Sequence, residues 1–383
     1  MKVERVPGVK WQNREITIPM VLRDGPLSND SVVFAPTLYL IHLSKTAPLN
    51  TLRATAADLK RYFEALEASG RNWEDITENE MSGYIESTLI ADLKLSKRSI
   101  VRHCASIAGM YSYMSESGIT EKYFNYKFRY YDENGHEEQG DAPPSKDFKL
   151  KKKYIAQELF EVLLSHAHER PGFIRARNEL VLHLGQKLGL RCFEVTHSRN
   201  LQLGDIKELV ANYKKNNRSS LQLTIYGKRR KIRDIDVPPE VIEKVEGFLT
   251  QYGEHLVGGN LICSIDGSRL SESFATRLFQ TVRDSALPEL KRKVKELEQL
   301  VDAPYIINWH SIKSLTFHCL RHTYATNLVT FCYENGIDPF AYLPSQLGHS
   351  KYETSKQYVI FEAAMYNRDA GRKQFSIADE SNE

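Results

Sequence analysis

The sequence predicts a mainly α-helical protein of two domains, with a small antiparallel sheet in the second. Its 383 residues exceed the usual size of a single domain. Apolar residues recur at three- and four-residue spacing across 35–125, which predicts helices. Residues 221–226 and 235–237 alternate apolar and polar side chains, which predicts a hairpin of half-buried strands. Residues 131–153 combine charge, glycine and a proline pair without any period, which is typical of a linker.

The N-terminal domain is expected to be helical and to occupy 34–130. Thr77 followed by Glu80 has the form of a capping box, which predicts the start of a helix. Ser96 is the expected N-cap of the next helix. The preceding segment, 1–33, shows no clear period, so we expect it to form an N-terminal arm.

The second domain is expected over 154–366, and residues 367–383 are expected to form a C-terminal tail. Helical patterns fit the segments 156–168, 172–188, 239–252, 271–286, 318–335, 339–347 and 353–361. Gly189 follows the second of these, as glycine often does at the C-terminal end of a helix. The predicted hairpin lies between the second and third helices, so this domain mixes α and β structure.

Composition narrows the class of protein. Apolar residues make up 41% of the chain, which is enough for a packed core. No stretch of roughly 20 residues is apolar enough to span a bilayer. The first residues, Met1–Arg5, lack the apolar core of a signal peptide, so we expect a cytoplasmic protein, nucleoid-associated in a bacterial host. The five cysteines form no C-x-x-C pair and are expected to be reduced.

The charge distribution is compatible with nucleic-acid binding but does not require it. The net charge is only +3. The positive excess lies in the C-terminal part, where residues 228–231 and 291–293 form dense basic clusters. Such clusters are usually solvated surfaces, and DNA contact is the alternative interpretation.

Several residues of the second domain have the chemistry of a phosphodiester-cleaving site. A reaction of this kind needs a nucleophile, fixed donors for the phosphate oxygens and a proton for the leaving oxygen. Arginine suits the donor role, because its fork gives two parallel hydrogen bonds and stays charged. Arg191 follows a predicted helix end, and His318 and Arg321 lie one turn apart on another helix. His349 lies in a predicted turn, and Tyr358 follows it by nine residues.

The order and local sequence of these residues resemble the tyrosine recombinase, or phage integrase, family. That family's signature is an Arg box, a hairpin Lys, His-x-x-Arg, Leu-Gly-His, and a Tyr nine positions later. The matching segments are Gly189–Glu194, Gly227–Pro238, His318–Tyr324, Leu347–Ser350 and Tyr358. The resemblance covers about 35–365. It implies a helical, DNA-binding core-binding domain over 34–130 and a mixed α/β catalytic domain over 154–366.

The resemblance implies a covalent mechanism that leaves a 3′-phosphotyrosyl enzyme and a free 5′-hydroxyl. The resemblance implies that Tyr358 is the nucleophile and that Arg191, Arg321 and His349 bind the non-bridging oxygens. It implies that His318 is a base or phosphate ligand and that Lys228 is the acid for the leaving oxygen. Glu194 is implied to be the hydrogen-bond acceptor that orients Arg191 or His318. Because the bond energy stays in the phosphotyrosine, no metal, ATP or other cofactor is implied.

The function implied by the resemblance is site-specific recombination, which integrates, excises or inverts DNA, as in a mobile element. The implied partners are double-stranded DNA with paired recombination sites, a homotetramer on that DNA and an accessory directionality factor, without a membrane. Two other functions are compatible with the sequence: a topoisomerase-like or telomere-resolving enzyme, and a catalytically inactive DNA-binding relative. The intact set of candidate residues favours an enzyme.

Some segments depart from the family pattern or have a second interpretation. A polar insertion over 212–218 makes the hairpin lysine ambiguous, with Lys231 as the alternative to Lys228. The segment 287–313 is extra, and DNA contact and protomer contact both fit it. The run 362–383 is either a frayed terminus or, as the resemblance implies, a segment that docks on a neighbouring protomer.

Candidate DNA-binding residues are less specific than the catalytic set. They are Lys97, Arg98, Arg102, Arg229, Arg230 and Lys231, and a solvated helix face is the alternative for the first three. His318 and His322, four residues apart, also have the spacing of a zinc pair. Cys319 stands where that motif has glutamate, so no metal is expected.

Overall fold

The computed structural model describes residues 1–11, 13–26, 31–120, 124–140, 149–215, 221–227, 231–299, 309–349 and 352–366. Contacts divide the chain into two compact units, Met1–Lys146 and Asp147–Glu383. We call them the N-terminal unit and the C-terminal unit. Within the described ranges, no helix combines the length and the apolar character that crossing a membrane requires.

The N-terminal unit is built mainly from helices. They are α1 (Phe34–Ser44), α2 (Leu49–Ala68), α3 (Glu78–Tyr84), which continues as a π-helical segment (Ile85–Asp92), and α4 (Lys97–Glu116). Both predicted helix starts are confirmed: Thr77 forms a capping box with Glu80, and the Ser96 side chain accepts from the Ser99 amide. The buried core includes the fully inaccessible Leu59.

The segment expected to be an N-terminal arm is instead a hairpin. Its antiparallel strands are β1 (Lys2–Trp11) and β2 (Arg14–Leu22). The register shifts between Val6 and Val9, and this irregularity breaks the alternation by which a strand is recognised. Val21 is fully buried, and its backbone exchanges hydrogen bonds of 3.1 and 3.2 Å with the Thr37 hydroxyl of α1. Residues 1–33 therefore contribute to the N-terminal unit.

The predicted linker is also partly structured. The strands β3 (Arg129–Tyr131) and β4 (Glu137–Gln139) pair antiparallel. Asp132 accepts from the amides of Asn134 and His136, each at 2.9 Å, so the polar residues here form a turn. Residues 141–148 of the predicted linker 131–153 lie outside the described ranges, and the division between the units falls among them.

The C-terminal unit combines helices with a two-stranded sheet, which confirms the predicted mainly α fold class. Its helices are α5 (Gln157–Ser165), α6 (Phe173–Lys187), α7 (Cys192–Thr196), α8 (Leu203–Lys215), α9 (Pro239–Tyr252), α10 (Phe274–Glu298), α11 (Phe317–Glu334), α12 (Pro339–Leu347) and α13 (Tyr352–Met365). The strands β5 (Leu221–Tyr226) and β6 (Ile232–Val237) pair antiparallel, as predicted.

Two helices of this unit differ from expectation. The described part of the polar insertion 212–218 is the last turn of α8, whose Tyr213 is buried in the core. Helix α10 continues through an internal proline into the segment 287–313, and Leu290 and Val294 are buried in the same core. Because α10 packs against α5, this part of the extra segment has a packing role within the chain.

A separate apolar cluster fixes the helices that carry the candidate site. Val329 of α11, Leu343 of α12 and Val359 of α13 are buried in one group. This packing brings α12 and α13 against α11.

Candidate active site

Arg191 is positioned by the turn after α6. Gly189 adopts φ +60°, and a Cβ there would lie 2.4 Å from the Tyr324 ring, so both conformation and space require glycine. Arg191 follows as the N-cap of α7. Its backbone amide and its Nη1 each donate to the Glu194 carboxylate at 2.8 Å. The Arg191 side chain remains 29% exposed, so its guanidinium is accessible to a ligand.

Glu194 is fully buried and joins two arginines. Arg233 of β6 donates Nη1 and Nη2 to the two carboxylate oxygens at 2.8 and 2.9 Å, a bidentate pair. Burial opposes ionisation of Glu194. The hydrogen bonds and charges of Arg233 and Arg191 outweigh it and lower the pKa of Glu194 to about 2. The carboxylate is therefore ionised and orients both guanidiniums.

Arg321 of α11 is almost completely buried and converges with Arg191. Its Nη1 donates to the Gly189 carbonyl at 2.5 Å, and its Nη2 donates to the Leu347 carbonyl. Arg191 Nη2 donates to the same Leu347 oxygen at 3.3 Å. Burial, with the charge of Arg191, lowers the pKa of Arg321 to about 9, so the guanidinium is still protonated at neutral pH.

His349 and Tyr358 lie next to the point where these arginines meet. Helix α12 is capped at its C-terminal end by Gly348, which has φ 65°, and His349 follows directly. The His349 ring stacks on the Tyr358 ring at 5.9 Å and 10°, and its Nδ1 lies 3.1 Å from Ser355 Oγ. Tyr358 is 3% exposed. Burial raises its pKa to about 12, against the opposing effect of Arg321 and Arg191.

Two further imidazoles line the same site. Nδ1 of His322 lies 2.8 Å from the Tyr358 hydroxyl. The His318 ring meets the His322 ring edge-on at 4.6 Å. Burial, with the nearby charges, lowers the pKa to about 4 for His318, about 3 for His349 and about 2 for His322. All three imidazoles are therefore neutral near pH 7.

The ends of β5 and β6 next to the hairpin tip lie close to this site. A Cβ at Gly227 would lie 3.3 Å from Glu194 Oε1, so the end of β5 is close to the buried carboxylate. Gly227 N donates to the Lys231 carbonyl at 2.7 Å, and this hydrogen bond joins the two strands where the hairpin tip begins. The candidates Lys228, Arg229 and Arg230 lie outside the described residues. Lys231, the alternative acid, is exposed just before β6.

A polar network braces the hairpin against α12. Arg233 Nε donates to the Gln346 carbonyl at 2.9 Å. The Gln346 side chain accepts from the Asp236 amide and donates to the Asp236 carboxylate, each at 2.9 Å, and Tyr342 also donates to that carboxylate. On the other strand, Asn200 accepts from the Tyr226 amide at 2.8 Å. Both strands are thus fixed near the site.

The basic residues predicted on α4 are largely paired within the N-terminal unit. Arg102 donates to both oxygens of Asp58 at 3.0 and 2.7 Å, and Lys97 bonds to Glu138. Arg98 is exposed. Local carboxylates therefore reduce the positive potential of this face, and DNA contact by these three residues stays a prediction.

The structure places two residues in the site that were not predicted there, His322 and Arg233. His322 entered only as part of a zinc spacing, yet its Nδ1 meets the Tyr358 hydroxyl. The sequence could have indicated this role, because the spacing of residues 318, 321 and 322 places them on one face of α11. Within the described ranges, no cluster of three or more His, Cys, Asp or Glu side chains has a metal-binding arrangement.

Comparisons with known proteins address the fold. Residues 37–118, which span α1–α4, match the family model described as phage integrase, N-terminal SAM-like domain. The crystal structure of XerH site-specific recombinase bound to palindromic difH substrate, a post-cleavage complex, aligns with a TM-score of 0.56 at 18% identity, over 86% of this chain and 82% of that chain. The chain has the tyrosine recombinase fold. The predicted resemblance and fold class are therefore confirmed.

Other solved structures share this recombinase fold. The pre-cleavage complex of XerH with difH substrate aligns with a TM-score of 0.52 at 18% identity, over 85% of this chain and 81% of that chain. A lambda integrase tetramer bound to a Holliday junction gives 0.50 at 17% identity, over 84% of this chain and 74% of that chain. No curated protein matches the chain in sequence.

Proposed function

We propose that this protein is a site-specific DNA recombinase, or integrase, that cleaves and rejoins DNA strands through a 3′-phosphotyrosyl intermediate. Integration, excision or inversion of DNA would be the outcome. The main support is that Arg191 and Arg321 donate to one carbonyl oxygen, Leu347 O. His349 follows two residues later and stacks on Tyr358. A phosphate bound at this point would meet two guanidiniums beside the phenol.

The charge balance of the site supports an anionic ligand. Arg191, Arg233 and Arg321 are positively charged, and Glu194 is the carboxylate that bonds to the first two. Among the charged groups described at this centre, positive charge is therefore in excess. Burying uncompensated charge is costly, and a phosphodiester would supply the missing negative charge. Guanidinium N–H groups that are held in place before the reaction stabilise the charge of the transition state.

The proposed reaction assigns one task to each remaining group. Tyr358 attacks phosphorus, and it must become accessible on DNA binding because it is 3% exposed. His349 contacts the phosphate as a neutral ligand, and His318 assists as base or phosphate ligand. The hairpin lysine, Lys228 in this proposal, protonates the departing 5′ oxygen. The phosphotyrosine conserves the energy of the broken bond, so rejoining requires no ATP.

Recombination requires two DNA sites, and we propose that four protomers assemble on paired double-stranded sites. The lambda integrase structure that shares this fold is a tetramer bound to a Holliday junction. The segment 367–383, proposed to link neighbouring protomers, lies outside the described residues.

Covalent capture tests the proposed function. The full chain is incubated with nicked duplex fragments that cover the DNA flanking its own gene, and adducts are located by denaturing electrophoresis and peptide mass spectrometry. The wild-type chain should form an adduct at Tyr358, and Tyr358→Phe should bind but form none. Tyr352→Phe is the matched control, because Tyr352 lies exposed on the same helix and should not affect capture.

Two outcomes would contradict the proposal. One is the absence of any adduct with the wild-type chain across all fragments, and the other is an adduct formed by Tyr358→Phe. Formation of four-way junctions between two captured sites would then separate recombination from the relaxation expected of a topoisomerase.

A further inference from the structure

The hydroxyl of Tyr358 has a hydrogen-bond partner that the proposed reaction leaves without a role. Nδ1 of His322 lies 2.8 Å from this oxygen, and the two rings are 5.8 Å apart. His322 follows Arg321 directly on α11, so the helix that holds a phosphate-binding guanidinium also holds this imidazole. If His322 served only to pack the core, its Nδ1 would not need to contact the Tyr358 oxygen, which is the atom that attacks phosphorus.

His322 is neutral, so one of its ring nitrogens can accept a hydrogen bond. Burial, followed by the charges of its neighbours, lowers its pKa to about 2. The groups facing it are His318 and Arg321 on α11, Lys153, His349 and the Tyr358 hydroxyl of α13. A neutral imidazole with its proton on Nε2 has Nδ1 free to accept the phenolic hydrogen bond. A phosphodiester bound at Arg321 adds negative charge, which offsets the positive charges of Arg321 and Lys153 and makes His322 more basic during attack.

We propose that His322 is a further catalytic residue: its Nδ1 accepts the phenolic proton of Tyr358 as the tyrosine oxygen attacks phosphorus. This inference rests on the proposed recombinase function. In this step the tyrosine O–H bond and the P–O5′ bond break, and the bond between Tyr358 Oη and phosphorus forms. The phenolic proton moves to His322, and O5′ takes a separate proton from the hairpin lysine. Rejoining reverses both transfers, so the His322 imidazolium returns its proton to the departing tyrosine oxygen.

The neighbouring histidines are less suited to this task. Nδ1 of His349 is engaged with Ser355, and its ring lies parallel to the phenol rather than pointing at its oxygen. His318 contacts the His322 ring. Among the described residues, His322 supplies the hydrogen bond to the Tyr358 hydroxyl. His318, expected from the family as base or phosphate ligand, then keeps the second of these roles.

The first test needs no DNA. In the full chain with ¹⁵N-labelled histidine, His322→Asn identifies the His322 signals among those of the 12 histidines. We expect Nδ1 of His322 to be unprotonated and to carry the shift of a hydrogen-bond acceptor, and this shift should change in Tyr358→Phe. A protonated Nδ1, or a shift that Tyr358→Phe leaves unchanged, would overturn the proposal.

The second test measures single-turnover cleavage of a nicked duplex that carries the cleavage site mapped with the wild-type chain. His322→Ala removes the base, and His322→Asn keeps an oxygen near the position of Nδ1 but cannot take up the proton. Both should cleave roughly 10²–10⁴-fold more slowly. Added imidazoles should restore His322→Ala, with rates that rise with the pKa of the imidazole.

The outcomes separate this inference from the proposed function. Cleavage by His322→Asn at the wild-type rate would mean that His322 only positions the Tyr358 hydroxyl, and this would overturn the proposal. Failure of every imidazole to restore His322→Ala would also overturn it. If the recombinase function itself is wrong, the wild-type chain will form no adduct at Tyr358, a result that precedes any test of His322.

Discussion

Replacement of Glu194 by glutamine should destabilise the C-terminal unit strongly. The Glu194 carboxylate is inaccessible to solvent and accepts from Arg191 and from both terminal nitrogens of Arg233. Glutamine removes the negative charge and turns an NH₂ donor toward a guanidinium donor. Two cations would then share a buried site without the carboxylate that bonds to both.

The magnitude follows from the pKa of Glu194, which falls from 4.5 to about 2. Each pKa unit corresponds to ~1.4 kcal/mol, so the ionised carboxylate stabilises the folded state by about 3 kcal/mol. The unpaired arginines bring the expected loss to ~3–5 kcal/mol at neutral pH. Because the folded-state pKa is depressed, this contribution is complete above pH 4.5 and is lost as the pH falls toward 2.

The assay is urea unfolding at pH 7 and at pH 3, with hydrogen exchange in peptides of the C-terminal unit as the readout. Wild type and Glu194→Gln should differ most at pH 7, and the difference should fall to about half or less at pH 3. Glu179→Gln is the control, because its pair with Arg175 is partly exposed and should contribute at most ~0.5 kcal/mol. A Glu194→Gln loss below ~1 kcal/mol at pH 7, or one that does not shrink with acid, would refute the reasoning.

Four further predictions concern DNA. Arg191→Ala and Arg321→Ala, with folding checked by circular dichroism, should bind DNA yet cleave at least roughly a hundredfold more slowly in single turnovers; a rate near wild type would remove that arginine from the site. Lys228→Ala should regain cleavage on a 5′-sulfur substrate, whose leaving group needs no proton, and an equal defect on both substrates would move the acid elsewhere, first to Lys231. DNA affinity, measured by anisotropy, should fall roughly 10³–10⁵-fold between about 50 and 200 mM salt if ~6–10 phosphates are contacted; a flat profile would contradict this. Deletion of 367–383 should preserve single-site binding but reduce four-protomer assembly in native gels. Unchanged assembly would show that the segment does not link protomers.

The sequence was informative where a local pattern decides the structure. Alternation over 221–226 predicted β5, and the helix predicted at 339–347 has the same bounds in the structure. The hairpin β1–β2 was missed because its register shift interrupts the alternation. Helix α10 was predicted to end at 286, but it continues through Pro288, although proline normally disfavours a helix interior. Burial of the apolar side beyond that proline outweighs the local preference.

The same distinction applies to the candidate site. Motif order predicted the residues that converge here, including Arg191, Arg321, His349 and Tyr358, because each lies in a recognisable local segment. The contacts between segments were not predictable. Arg233 lies on a strand whose alternation gives no sign that its side chain reaches Glu194. The pairing of His322 with Tyr358 depends on how α13 packs against α11.

The brace around β5 and β6 has a consequence for protein engineering. Tyr226 is held by Asn200, and Arg233 by Glu194 and Gln346, so both strands are anchored independently of the tip between them. These hydrogen bonds hold the two strands without involving residues 228–230, which join them. If the proposed function holds, substitutions at Arg229 and Arg230 should therefore leave the arginine cluster in place, but the acid of the reaction, Lys228 or Lys231, has to be retained.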